Sequence, residues 1–147
     1  MEERWTVFVN GRAVERVVDV VTVAAFPDPA CTCGSSCMGR YRFWYEHGES
    51  LFTVDVDRIR LNWAIDELID ETPTGGYETL PKLVRDWNED KGWCGIDEHF
   101  GSAVTPDDLA AFADALRPHV DGAFASALRD LARTATALRA PMKAMTD

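Results

Sequence analysis

The sequence predicts an α+β fold: an antiparallel sheet of about four strands in the N-terminal half, with three to four helices from the C-terminal half packed on one of its faces. Three observations lead there. β-Branched and aromatic runs fill the first 57 residues, turn signals separate those runs in pairs, and from about residue 62 apolar residues recur at helical spacing. The 147 residues read as one domain over 1–139 followed by a frayed tail over 140–147.

The first pair of strands is the clearest. Residues 5–9 read Trp-Thr-Val-Phe-Val, Asn10-Gly11 follows, and a strand pattern resumes at Arg12. Asn and Gly both tolerate the positive φ of a tight two-residue turn, so this is a hairpin. Val17 to Phe26 is too apolar for a half-exposed strand and is expected in the middle of the sheet, ended by Pro27-Asp28-Pro29. After a loop over 27–39, residues 41–45 and 51–56 form a second hairpin around His47-Gly48-Glu49-Ser50.

Helices follow. Leu61, Ala64, Ile65, Leu68 and Ile69 share a helical face and predict a helix over about 62–71, although Ile59, Leu61 and Trp63 also alternate as a strand would. Thr79 is expected to cap a helix running to about Lys91, with Leu80, Leu83, Val84 and Trp87 inward and Gly92 as its stop. Thr105-Pro106-Asp107-Asp108 is a sharper start: an N-cap, a proline where no N–H is needed, and two carboxylates at the positive end of the helix dipole. Its inward residues are Leu109, Phe112, Ala113 and Leu116. Beyond Pro118 the helical spacing resumes at Val120, Phe124, Leu128, Leu131 and Leu138 and runs to about Arg139.

Charge narrows the function. The chain carries 25 acids and 15 bases, and residues 46–100 hold 14 of those acids against 5 bases. Such a field repels phosphate backbones and anionic lipid, so the expected partner is a basic protein, with no direct nucleic-acid binding and no membrane attachment. The longest apolar run, broken by Asp19 and Thr22, is too short for a membrane-spanning helix. The start lacks a basic leader region, and the chain is placed in the cytoplasm, where thiols stay reduced.

Two groups of residues carry candidate chemistry. Cys31, Cys33 and Cys37 form a Cys-x-Cys-x3-Cys cluster, and Cys94 is the expected fourth thiolate of a tetrahedral Zn²⁺ site, with His99 or His47 as alternative ligands and disulfide pairing or free thiols as alternative states. The string Cys31-Thr32-Cys33-Gly34-Ser35-Ser36-Cys37 locally resembles the Cys-Gly-Cys-Gly-Ser-Ser-Phe signature of A-type iron–sulfur carriers. The likeness covers 7 of 147 residues, and in that family the motif closes the chain, whereas here it lies near the start. It implies an iron–sulfur cluster only as the minor alternative to zinc.

The second group is acidic and aromatic. Asp66, Glu67, Asp70 and Glu71 repeat at helical spacing, and a helix starting before residue 62 sets Trp63 among them, opposite the Leu61, Ile65 and Leu68 stripe. If Trp63 instead ends a strand, it is buried. Glu89, Asp90, Trp93, Asp97 and Glu98 extend the same character and complete the expected partner-binding set. The leading expectation is therefore a non-enzymatic binding protein of the immunity-protein, antitoxin or nucleic-acid-mimic type, in which charge speeds encounter and one or two aromatics anchor the complex. The zinc protein is the second reading. A Cys94–His99 catalytic pair oriented by Asp97 or Glu98 is the third, without a nucleophile elbow or phosphate cradle to support it. His119, near a helix start, is expected in a capping or surface role.

Overall fold

The computed structural model describes residues 1–30, 39–89, 92–93 and 101–147. Among them are β1 (Glu2–Val9), β2 (Arg12–Phe26), β3 (Arg40–His47), β4 (Ser50–Asp57), α1 (Arg58–Glu71), α2 (Lys82–Glu89), β5 (Ser102–Val104), α3 (Pro106–Leu116), α4 (Gly122–Leu138) and β6 (Met142–Thr146). The architecture is α+β, with a mixed, curled sheet in the order β1-β2-β4-β3-β6-β5.

Both hairpins form as expected. Asn10 and Gly11 take φ of 51° and 78° and join β1 to β2, and Gly48 takes 63° between β3 and β4. The union of the hairpins departs from expectation, because β4 inserts between β2 and β3 and pairs with β2 in parallel, Thr22 opposite Thr53 and Phe26 opposite Val56. Hairpin turns dictate only their own strands. The segment over 27–39 is long enough for the chain to pass the end of an intervening strand, so the seam between hairpins is set by packing.

The residues expected as a frayed tail are ordered instead. Met142–Thr146 pairs antiparallel with β3 and with β5, and Met142, Ala144 and Met145 are buried. Arg139 makes this placement: its left-handed φ of 52° ends α4, and the Ala140 N–H donates to the Ala135 carbonyl as the chain turns back. The Pro141 and lysine in this stretch disguise a strand whose apolar residues find cover only from distant elements.

The two faces of the sheet have separate cores. On one, Tyr41, Phe43, Val54 and Val56 pack beneath Ile65, Leu83, Leu109, Phe112, Leu128 and Ala135, so the helices cover a single face. On the other, Trp5, Val7, Val18, Val20, Trp44, Leu51 and Met145 cluster without a helix. Strands stand about 4.8 Å apart, which in a flat sheet would hold β1 about 14 Å from β3. Yet Trp5 of β1 meets Trp44 of β3 edge to face with ring centroids 5.6 Å apart. The sheet therefore curls, and the β1–β2 ribbon closes over its helix-free face. The curl leaves part of the ribbon's outer side in water, with Val17, Val21 and Val23 exposed. β2 is interior in strand order, but Val18 and Val20 face the helix-free core while Ala24 and Phe26, past the register shift after Thr22, pack toward the helices, so no part of the strand is covered on both sides as its composition suggests.

Helix starts follow side-chain capping. Thr105 accepts the Asp108 N–H at 3.0 Å, with Pro106 in the first turn, as the sequence predicts. Asp121 caps α4 through the Ala123 N–H at 2.9 Å. The cap at Thr79 is corrected: its hydroxyl donates to the Gly76 carbonyl at 2.6 Å inside a 3-10 turn, Tyr77–Thr79, and α2 begins at Lys82 after Pro81. No helix among the described residues is long and apolar enough to cross a membrane.

Candidate functional site

α1 begins four residues before its sequence-predicted start because Asp57, the last residue of β4, caps it: Oδ2 accepts the Arg60 N–H at 3.0 Å. That choice of first turn fixes the azimuth of every side chain behind it. Leu61, Ala64 and Ile65 turn into the core. Arg60, Trp63, Glu67 and Asp70, spaced three, four and three residues apart, face outward. Trp63 is 73% exposed, so the strand-end alternative, which buried it, is set aside.

Of the exposed large apolar side chains among the described residues, Trp63 is the one aromatic set among carboxylates on a helix face, the kind of residue that anchors interfaces. It stands in an open groove of about 520 Å³ lined by Arg60, Trp63, Ala64, Asp66, Glu67, Asp70 and His119. His119 closes one side. It lies in the 3-10 turn Arg117–His119, and its ring, only 8% exposed, reaches the helix through Nδ1, 3.0 Å from Glu67 Oε2, and Nε2, 3.3 Å from Glu71 Oε2. Two carboxylates one turn apart are thereby held in place by one imidazole; it braces α1 rather than capping a helix as the sequence suggests. These three side chains are also the described donors close enough to share a cation, their ligand atoms lying within 4.8 Å of one another, but the ring itself fills the space between the carboxylates.

Behind the same His119 is a second hollow of about 270 Å³, lined by Phe26, Val56, Leu61, Val120 and Phe124 with Arg60, His119 and Asp121 at its edge. Arg60 and His119 are thus the wall common to both. The Arg60 guanidinium has no carboxylate partner among the described residues.

The remaining acidic residues of the middle third do not extend this face as the charge count suggests. Asp55 is buried against Arg42, with Nε to Oδ1 at 3.0 Å. Asp86 is paired with Lys82 at 2.6 Å, and Glu78 lies 3.8 Å from Arg85. Glu46 and Glu49 line a separate depression with Arg16. Glu89 is exposed and accepts from the Tyr77 hydroxyl at 3.4 Å. Trp93 is corrected outright: it is 4% exposed, packs edge to face on Tyr41, Phe43 and Phe112, and donates its Nε1–H to the Leu83 carbonyl at 3.2 Å. It is a core residue, unavailable to a partner. Asp90, Asp97, Glu98 and His99, together with the expected zinc ligands Cys31, Cys33, Cys37 and Cys94, lie outside the described residues.

Sequence reasoning missed Arg60 and His119. Arg60 was visible in principle, three residues before Trp63 on the same face, once Asp57 is recognised as the cap. His119 carried no signal, being 52 residues from its Glu67 partner. Comparison of the chain with protein-family models, with curated proteins and with solved structures finds no match.

Proposed function

We propose that this chain is a non-enzymatic binding protein, of the same physical type as immunity proteins, antitoxins and nucleic-acid mimics, that engages a basic protein partner through the outer face of α1. The observation that carries this reading is the exposed Trp63 indole standing among Asp66, Glu67 and Asp70 in one open groove. An arginine or lysine of the partner stacks on the indole, a contact worth about 0.5–2 kcal/mol depending on desolvation, while the carboxylates beside it neutralise the charge. The chain's net charge of −10 draws a cationic partner in from a distance, so the field raises the association rate and the aromatic holds the complex.

The test uses a defined cation, nona-arginine, titrated against the full chain at low salt. Asp66→Lys/Asp70→Lys and Trp63→Ala are each expected to weaken binding about tenfold, while Glu46→Lys/Glu49→Lys, on the separate depression, leaves it nearly unchanged. Equal losses from both double variants would mean that only overall acidity matters, and the assignment to α1 would fall.

A further inference from the structure

The groove and the hollow behind it ask for different chemistry, and they meet at one wall. On the Trp63 side are three carboxylates and an indole face; on the other, five apolar side chains surround about 270 Å³. An engineered apolar cavity of about 150 Å³ holds a benzene molecule, so this hollow has room for a leucine, methionine or phenylalanine side chain. A free cation gains little there, because five of the eight lining side chains are apolar, Arg60 repels it, and the one carboxylate, Asp121, already accepts the Ala123 N–H at the start of α4.

We infer that the partner presents a short segment carrying a basic residue and, a few positions along, an apolar anchor: the basic side chain lies on Trp63 among Asp66, Glu67 and Asp70, and the anchor enters the hollow between α1 and the start of α4. This rests on the function proposed above and specifies which ligand that face selects. Arg60 sets the orientation. Its guanidinium, which has no carboxylate partner among the described residues, repels a cation from the seam at the common wall, which keeps the partner's basic residue on the Trp63 side, and it donates hydrogen bonds to main-chain carbonyls of a segment crossing the wall. Burying the anchor supplies the non-electrostatic part of the affinity, the part that survives physiological salt after surface attraction is screened. An apolar side chain seated beside a charged rim is the usual anatomy of a strong contact.

The experiment is selection of a random heptapeptide library on the full-length chain at about 0.15 M salt, followed by affinity measurement on the enriched peptides. Enrichment of sequences pairing Arg or Lys with one apolar residue is expected. Replacing that apolar residue by serine should weaken binding about tenfold or more, as should Val120→Glu, which brings a charge to the hollow, with the thermal midpoint and circular dichroism of the variant checked alongside. Asp66→Lys/Asp70→Lys should weaken the same peptides. If the enriched sequences are basic without an apolar preference, and indifferent to Val120→Glu, the inference is overturned while the α1 reading stands. If nothing is enriched, or the enriched sequences are indifferent to Asp66→Lys/Asp70→Lys, both are overturned.

Discussion

Arg42 donates to both carboxylate oxygens of Glu3 at 2.9 Å, although the strands that bear them, β3 and β1, are separated in the sheet by β4 and β2. The guanidinium is 1% exposed and lies 5.4 Å over the Trp5 ring, with Asp55 on its other side. A buried charge without partners would be costly, so closing the curl with Glu3 satisfies a cation that the sheet alone would leave half paired.

That closure is pH-dependent with a definite sign. The hydrogen bond from Arg42, opposed by burial and reinforced by the charges of Arg42 and Arg40, lowers the Glu3 carboxyl from its ordinary value of 4.5. A lowered carboxyl contributes stability that is fully present above 4.5 and is lost as pH falls below it, through the folded-state value. Urea midpoints measured from pH 6 down to pH 3 should therefore fall more for the natural chain than for Glu3→Gln, and the gap between the two should narrow at the acid end. A constant gap across the range would refute the role given to this carboxylate.

Two tryptophans of the acidic middle third, Trp63 and Trp93, should behave in opposite ways. Trp63→Ala removes an exposed side chain and is expected to change stability by less than about 0.5 kcal/mol. Trp93→Ala empties a site bounded by Tyr41, Phe43 and Phe112 and is expected to cost about 3–5 kcal/mol. Chemical denaturation of both variants decides it, and similar losses would contradict the placement of one of them.

Deleting residues 140–147 should unfold the chain or lower its thermal midpoint by many degrees. The deletion uncovers β3, removes Met142, Ala144 and Met145 from the two cores and strips β5 of its partner. A truncated chain as stable as the full one would show that this segment is a tail after all.

Thr53, on the same face of β4 as Asp55, is fully buried and its hydroxyl has no hydrogen-bond partner among the described residues. Valine matches its shape without the hydroxyl, so Thr53→Val is expected to be neutral or stabilising by about 1 kcal/mol, read from the denaturation midpoint. A marked loss of stability would reveal a partner for that hydroxyl.

Elements encoded by near neighbours were legible in the sequence. Asn10-Gly11 specifies its turn because few other residues accept two successive positive φ values, and Thr105-Pro106 specifies the start of α3 because its hydroxyl finds an amide three residues away. The inward stripe of α3 followed from spacing alone, and all four of its members are fully buried. The expected face of α1 was legible too, in that Asp66, Glu67, Asp70 and Glu71 are all exposed beside Trp63, but its extent was overstated: Trp93 is buried, and the acid counted in the middle third includes Asp55 and Asp86, which Arg42 and Lys82 neutralise.

By itself, then, the sequence determined the Asn10-Gly11 turn, the Thr105 cap, the inward faces of α1 and α3 and the concentration of acid in the middle third, since each depends on residues within a few positions of one another. Only the tertiary structure decided the parallel seam between β2 and β4, the inclusion of β6, the burial of Trp93 and the meeting of His119 with Glu67. Those are contacts between segments far apart in the chain, chosen by which surfaces bury the most apolar area together and leave the fewest charges unpaired, and local pattern carries no record of that choice.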